Sequence, residues 1–440
     1  MILTTTVRVP DTPEVRAALT LQQKELSALS APGTLIAFST EEAGWLEVPK
    51  MWGLQRYEVD DRQGPHIAVT TAPLSVTLRP HQAAALTAIE SAFAAEHGGG
   101  GVLVLPCGFG KTMTAIALAQ RMGVRCLIVC HTGVLMEQWR AAIAQFVPDA
   151  VIGEMQQNKF VVDGCTHVIA SLKSVALRDY PPHGCGLLCI DEAHHISALL
   201  LSKAVAKLGT RWRLGLSATP TRADGLSPFM TWSLGPTLFE QEREAKTGLR
   251  VFAVRVTTGP VKTKTLRRAG KEVANISGMM NLLVKKSVAA TRRQELVAAW
   301  IRLCASKGRK VLVLADRLEL LRDLSKQMGE FSFGFMTGAV KVKDRAAAAE
   351  AQILLGTYGV VAEGFDEPRL DTVVLTTPRS GQSVMTQVVG RLLRDGGKSP
   401  LVIDFVDDVP LFVGMHWKRM KVYRKLQASV TCYDEQRNEV

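Results

Sequence analysis

The 440-residue sequence predicts an α/β fold of two parallel-sheet lobes in series, preceded by a small α+β accessory domain. Three observations predict it. From about residue 100, short β-branched apolar runs alternate with helical stretches, as strands buried on both faces do. These runs form two separate series, and residues 1–75 share in neither. The length favours two or three domains, and 47% hydrophobic against 21% charged residues supplies ordinary soluble cores.

In chain order, residues 1–75 hold short strand-like pieces (34–38, 45–49 and 66–70) separated by Pro, Gly and acidic turns. The first lobe, 76–238, contains the apolar runs 101–105, 126–130, 167–171 and 187–190. The second, 239–440, contains 310–315, 353–357, 372–377 and 401–406. At its entry, 261–293 forms a basic arm whose segment Thr263–Lys271 has no strong apolar period. No repeat of 20–50 residues and no low-complexity tract is found.

The net charge of +12 is unevenly placed. Residues 1–75 carry six Lys/Arg against nine Asp/Glu, a net of −3, whereas 261–310 carry thirteen against two, a net of +11. A second cluster, Lys418, Arg419, Lys421, Arg424 and Lys425, has no acid within it, and Trp417 and Tyr423 beside it are candidates for stacking on bases or for core packing. Local excess of this kind suits a phosphate-tracking surface; a solvated basic face is the competing reading.

The opening MILTTTVRVPDT shows no secretory pattern, and no apolar run approaches the ~18 residues of a spanning helix. Several of the eight cysteines fall inside apolar runs rather than in CxxC loops, as reduced core residues would. A cytoplasmic protein is expected, or a nuclear one in a eukaryote.

The first chemical signal is Leu105–Thr112, LPCGFGKT, between an apolar run and a helical stretch. Gly108 and Gly110 let backbone N–H groups curl around phosphates, Lys111 reaches the β and γ phosphates, and the Thr112 hydroxyl can ligate Mg²⁺. The second is an apolar run that delivers Asp191 and Glu192 at its end. Asp191 would hold Mg²⁺ through water, Glu192 would orient or deprotonate the attacking water, and His194 would serve a hydrogen-bonding relay. Gln387, Arg391 and Arg394 lie at helical spacing on one face. Their two arginines could neutralise charge developing on the γ phosphate of ATP from the other lobe, making hydrolysis depend on lobe closure.

Six elements in order over residues 78–394 resemble the superfamily 2 helicases: LRPHQ at 78–82, the phosphate loop, DEAH at 191–194, LGLSATPTR at 214–222, GTYGVVAEGFDEP at 356–368 and QVVGRLLR at 387–394. The resemblance implies two RecA-like lobes with ATP and Mg²⁺ bound between them, and nucleic acid tracked across both lobes through its phosphates. It implies that Gln82 reads adenine, that Ser217 and Thr219 couple the ATP site to the track, and that Gly364 and Asp366 contact ATP. It also implies backbone contacts from Thr132 and Ser171, whose hydroxyls are equally suited to helix caps. In the basic arm, Lys262, Lys264, Arg267 and Arg268 are the expected phosphate contacts.

Residues 218–225 and 316–320 resemble the xeroderma pigmentosum group B branch, which includes compact phage and poxvirus DNA helicases. Eukaryotic members read Arg-Glu-Asp where this chain has Arg222-Ala223-Asp224, so no role is carried over to that triplet. The compact build resembles phage helicases that remodel branched DNA. The partner so implied is single-stranded, forked or junction DNA, with residues 1–75 as a wedge or a docking platform. A DEAH-type RNA remodeller and a non-unwinding translocase subunit are the competing functions.

Overall fold

The computed structural model describes the chain apart from residues 23–33, 41, 107, 194–195, 197, 219–224, 243–247, 259–264, 269–270, 285–286, 339, 341, 363–366, 380–381 and 394–397. It describes the backbone alone at 22, 34, 266–268, 271–273, 282, 342–343, 346, 361–362, 382–384, 387 and 391. The chain divides into two compact units, Met1–Glu242 and Arg243–Val440. No helix among the described residues is long and apolar enough to cross a membrane.

The first unit is built on an eight-stranded sheet in the order Lys159–Val161, Ile152–Gln156, His167–Ser171, Cys126–Cys130, Leu187–Ile190, Trp212–Ser217, Gly100–Val104, Thr237–Glu240. All pairings are parallel except the hairpin of the first two. Alternate side chains enter two cores. On one face Leu103, Ile128, Cys189 and Leu216 pack with Leu86, Ile116 and Trp139. On the other, Val104, Val129 and Ile190 share a core with Leu201, Phe229 and Leu234. Strands covered on both faces explain the unbroken apolar runs. The same geometry places Cys126, Cys130 and Cys189, with Cys126 and Cys189 sulfurs 3.8 Å apart on neighbouring core strands.

The N-terminal residues form a four-stranded mixed sheet in the order Trp45–Val48, Val7–Pro10, Ile2–Leu3, Asp60–Asp61. Leu3, Val7, Val9, Leu46, Val48 and Trp52 lie in the same apolar core as Phe229 and Leu234. Two buried basic side chains pin the sheet down. Lys50 Nζ donates to the carbonyls of Thr210 (3.0 Å) and Arg211 (2.9 Å) and to Gln63 Oε1. Arg213 donates to the carbonyls of Thr5 (2.5 Å) and Ser233 (3.1 Å). Residues 66–70, expected as a strand of this domain, instead run extended along the first lobe. Their backbone bonds go to Gly184, Gly123 and Arg125, and only Ala68 makes a bridge, to Val124.

The second unit is a seven-stranded, all-parallel sheet in the order Phe333–Met336, Ile353–Thr357, Val311–Ala315, Thr372–Leu375, Leu401–Asp407, Arg250–Val256, Ser429–Tyr433. Three of these strands, Phe333–Met336, Arg250–Val256 and Ser429–Tyr433, were not anticipated, because a glycine in the first and arginines and hydroxyls in the other two interrupt the apolar pattern. The basic segment is more ordered than expected. Thr265–Arg268 and Lys271–Ala274 form an antiparallel hairpin, and Ser287 caps the helix Val288–Ser306 by accepting from Ala290 N at 3.2 Å. Within that helix Arg293 is buried and bidentate to Asp407 at 2.6 and 2.9 Å, so the arm read over 261–293 overreaches at this residue. A charge sealed against a buried carboxylate is lost to any phosphate.

Candidate active site

The strands Leu187–Ile190, Trp212–Ser217 and Gly100–Val104 are immediate neighbours and parallel, so their carboxyl ends emerge side by side. That end of an open parallel sheet is where such folds bind ligands. Gly100–Val104 leads into the phosphate loop, Leu187–Ile190 into Asp191 and Glu192, and Trp212–Ser217 ends at Ser217 itself. Ser217 is fully buried, and its carbonyl accepts from Leu105 N at 3.1 Å, tying the third element to the first residue of the loop.

The loop is shaped by two left-handed glycines, Gly108 (φ +84°) and Gly110 (φ +85°). Gly110 immediately precedes the helix Lys111–Met122, whose first N–H groups face the loop with the positive end of the helix dipole. A Cβ at Gly110 would overlap the Gln82 side-chain amide, so glycine is required there on two grounds. Gln82 is buried. Its Oε1 accepts from Arg79 N at 2.8 Å and its Nε2 donates to Gly110 O at 3.4 Å. Gln82 therefore stands against the loop, with its amide engaged at the start of the helix Pro80–Phe93. Neighbouring His81 Nε2 lies 2.9 Å from Phe109 O.

Lys111 Nζ donates to Leu105 O at 3.2 Å and lies 3.9 Å from Glu192 Oε1. The loop cation and the acid at the end of the acidic strand are thus brought together from positions far apart in sequence. Asp191 is buried beside them. Trp139 Nε1 donates to its Oδ2 at 2.9 Å, and Glu192 N donates to its Oδ1 at 2.9 Å. Burial, and next the charge of Glu192, lift the Asp191 carboxyl to about 6, against the opposing pull of Trp139 and Lys111. Glu192 adopts φ +48°, an uncommon conformation for a residue with a side chain and a form of backbone strain that clusters at functional sites.

Trp139 is the residue that sequence reasoning missed. It sits on the helix Gly133–Phe146 and meets an acid 52 residues away, a pairing with no local signature. Thr132 takes the N-cap of that helix, its Oγ1 accepting from Leu135 N at 3.3 Å. Ser171 ends the strand His167–Ser171 and begins the next helix without a side-chain cap bond, which leaves its hydroxyl free of that task. Gln387 and Arg391 fall one turn apart on the helix Gln382–Leu392, and Arg267 and Arg268 on the hairpin, with backbone alone described. Lys262, Lys264, His194, Thr219, Gly364, Asp366 and Arg394 lie outside the described residues.

The donor set fits a magnesium nucleotide. Backbone amides curled by two left-handed glycines and one lysine are the donors that phosphates need, and the hard oxygens of Thr112 and Asp191 suit Mg²⁺.

The chain is similar to known helicases. The family model described as type III restriction enzyme, res subunit, matches residues 75–222. "Putative ATP-dependent RNA helicase L396" of Acanthamoeba polyphaga mimivirus is 28% identical over 413 residues, covering 89% of this chain and 77% of that one. The "General transcription and DNA repair factor IIH helicase/translocase subunit XPB" of Dictyostelium discoideum is 24% identical over 377 residues, covering 79% of this chain and 45% of that one. Among solved structures, S. cerevisiae Dbp5 bound to RNA and ADP BeF3 matches with a TM-score of 0.55 at 11% identity, covering 81% of this chain and 94% of that one, a likeness of fold.

Proposed function

We propose that this chain, a superfamily 2 helicase that hydrolyses ATP, applies that hydrolysis to forked or junction DNA, separating its strands or migrating its branch point. Lys111 holds the β and γ phosphates, and Glu192 orients the attacking water and accepts its proton. Asp191 and Thr112 hold Mg²⁺, which when bound neutralises phosphate charge. Gln82 contributes to nucleotide recognition, and Arg391 and Arg394 neutralise the charge that develops on the γ phosphate. Ser217, through its bond to the head of the loop, is assigned to coupling between ATP and nucleic acid. Ser171 and the 262–268 basic residues are assigned to the phosphate backbone, which gives little sequence selectivity.

The observation that carries the junction reading is the union of the N-terminal sheet with the first lobe. A wedge that splits a fork must move rigidly with the motor. Here it shares an apolar core with the lobe and is pinned by Lys50 and Arg213. Its net charge of −3 makes it a poor phosphate clamp and a suitable body to pass between two strands. Removing residues 1–70 would strip that core, so truncation destabilises the lobe as well as removing the wedge. Intact protein is the right material for the test. Strand separation on forked DNA should exceed that on blunt duplex DNA and on the same fork made of RNA.

RNA is the second reading, favoured by the name of the mimivirus relative. Equal separation of RNA and DNA forks would establish it.

A further inference from the structure

The helix Pro410–Lys425 of the second unit has two unlike faces. Its inward face is organised by one buried carboxylate, Asp404 of the strand Leu401–Asp407. Asp404 lies 3.1 Å from His416 Nδ1, accepts two guanidinium bonds from Arg419 at 2.9 and 2.7 Å, and accepts from the Tyr423 hydroxyl at 3.1 Å. Residues three and four positions apart lie on one side of a helix, so this gathering fixes its rotation. Arg419 and Tyr423, read from the sequence as candidates for a nucleic-acid surface, are thereby withdrawn from it. Both are buried.

The same rotation turns Gly414, Trp417, Lys418, Lys421, Arg424 and Lys425 outward, all exposed and all on one stripe. Trp417 is 56% exposed, while the other six tryptophans are buried or half-buried. Among the described residues Lys418, Lys421 and Arg424 enter no ion pair, and a Cβ at Gly414 would meet only open space. The stripe from Trp417 to Lys425 is about 12 Å long at 1.5 Å per residue. At about 3.4 Å per phosphate, the spacing along one strand of a duplex, that length faces three or four phosphates, an upper count for an unstacked strand.

We propose that this stripe is a second nucleic-acid contact, in which a base of single-stranded DNA stacks on Trp417 while Lys418, Lys421, Arg424 and Lys425 follow the adjoining phosphates. The inference rests on the chain being a nucleic-acid motor, and adds a surface remote in sequence from the helicase elements. An indole set among cations, with no acid on the stripe, has the chemistry of a strand-binding platform, where stacking is sequence-tolerant and charge follows the backbone. A membrane surface would require a broad apolar face, and Trp417 is the single large apolar side chain here.

The test is the affinity of a labelled oligothymidylate for the full chain across a series of salt concentrations. Trp417→Ala should weaken binding by about 5- to 150-fold, and Trp417→Phe should retain most of the affinity. The triple change Lys418→Gln, Lys421→Gln, Arg424→Gln should lower affinity and flatten the slope of log affinity on log salt by about 2, at ~0.7 per lost contact. Thermal midpoint and ATP turnover without nucleic acid should be unchanged, since every altered side chain is exposed. A wild-type slope in the triple variant together with wild-type affinity in Trp417→Ala would overturn the proposal, and would assign the stripe to an acidic protein partner. Failure of the wild-type chain to bind any nucleic acid would overturn the motor reading and this surface with it. Wild-type binding that the variants leave intact removes this surface alone.

Discussion

Trp139 Nε1 donates to Asp191 Oδ2 across 2.9 Å, so an indole from the helix after one strand holds the acid at the end of the neighbouring strand. Partners of this kind orient a metal-binding carboxylate, and their loss typically weakens metal affinity by about 10- to 100-fold. Trp139→Phe should therefore raise the Mg²⁺ concentration needed for half-maximal turnover by about that factor while the chain stays folded. Titration of turnover with Mg²⁺, beside a thermal melt, reads both effects. An unchanged Mg²⁺ requirement would reduce Trp139 to a packing residue.

Lys111 and Glu192 meet at 3.9 Å but have separate tasks, and their variants should fail differently. Lys111→Ala should weaken nucleotide binding along with turnover. Glu192→Gln should bind ATP as wild type does and lose turnover, because water activation alone is removed. Fluorescent-nucleotide binding beside steady-state hydrolysis separates the two. Near-normal turnover in either variant would remove that residue from the chemistry.

The strands that carry these groups were legible because parallel strands buried on both faces leave unbroken apolar runs, and glycines or acids at their ends stand out. Pairings across the fold were not. Lys50 meets carbonyls 160 residues away, and nothing beside it in sequence marks it as buried. Arg293 and Arg419 read as surface chemistry, and Tyr423 was left between base stacking and core packing, because the strand Leu401–Asp407 looked merely apolar. Its Asp404 and Asp407 are buried acids, and each draws an arginine out of the basic segments to neutralise it. The hairpin within 265–274 was hidden for another reason, since a two-stranded ribbon buries too little to need an apolar period.

Arg391→Ala and Arg394→Ala should each reduce kcat by about 10³-fold or more with nucleotide affinity little changed, as groups that act on transition-state charge do. Single-turnover hydrolysis beside equilibrium nucleotide binding distinguishes this from a structural role. Unchanged kcat in both variants would leave the arginines as surface ion-pairing groups.

Lys50 gives the anchored N-terminal sheet a pH signature. Burial first, and then the charge of Arg213, push its amine down from 10.5 to about 6. Between those values the folded chain binds fewer protons at Lys50 than the unfolded chain, so the stability contributed there rises with pH. Measured by denaturant unfolding, the wild type should gain on Lys50→Met by up to about 1.4 kcal/mol per pH unit between roughly pH 6.5 and 9. A difference independent of pH would show that Lys50 keeps its proton within the carbonyl cage.

The most direct test of the account is ATP turnover by the full chain with single-stranded, duplex, forked and four-way DNA and with RNA, side by side at one salt concentration. Turnover should be low without nucleic acid, rise with single-stranded DNA, and rise furthest with forked or four-way DNA. Equal stimulation by RNA and forked DNA would contradict the proposed substrate, and turnover indifferent to every nucleic acid would contradict the motor itself.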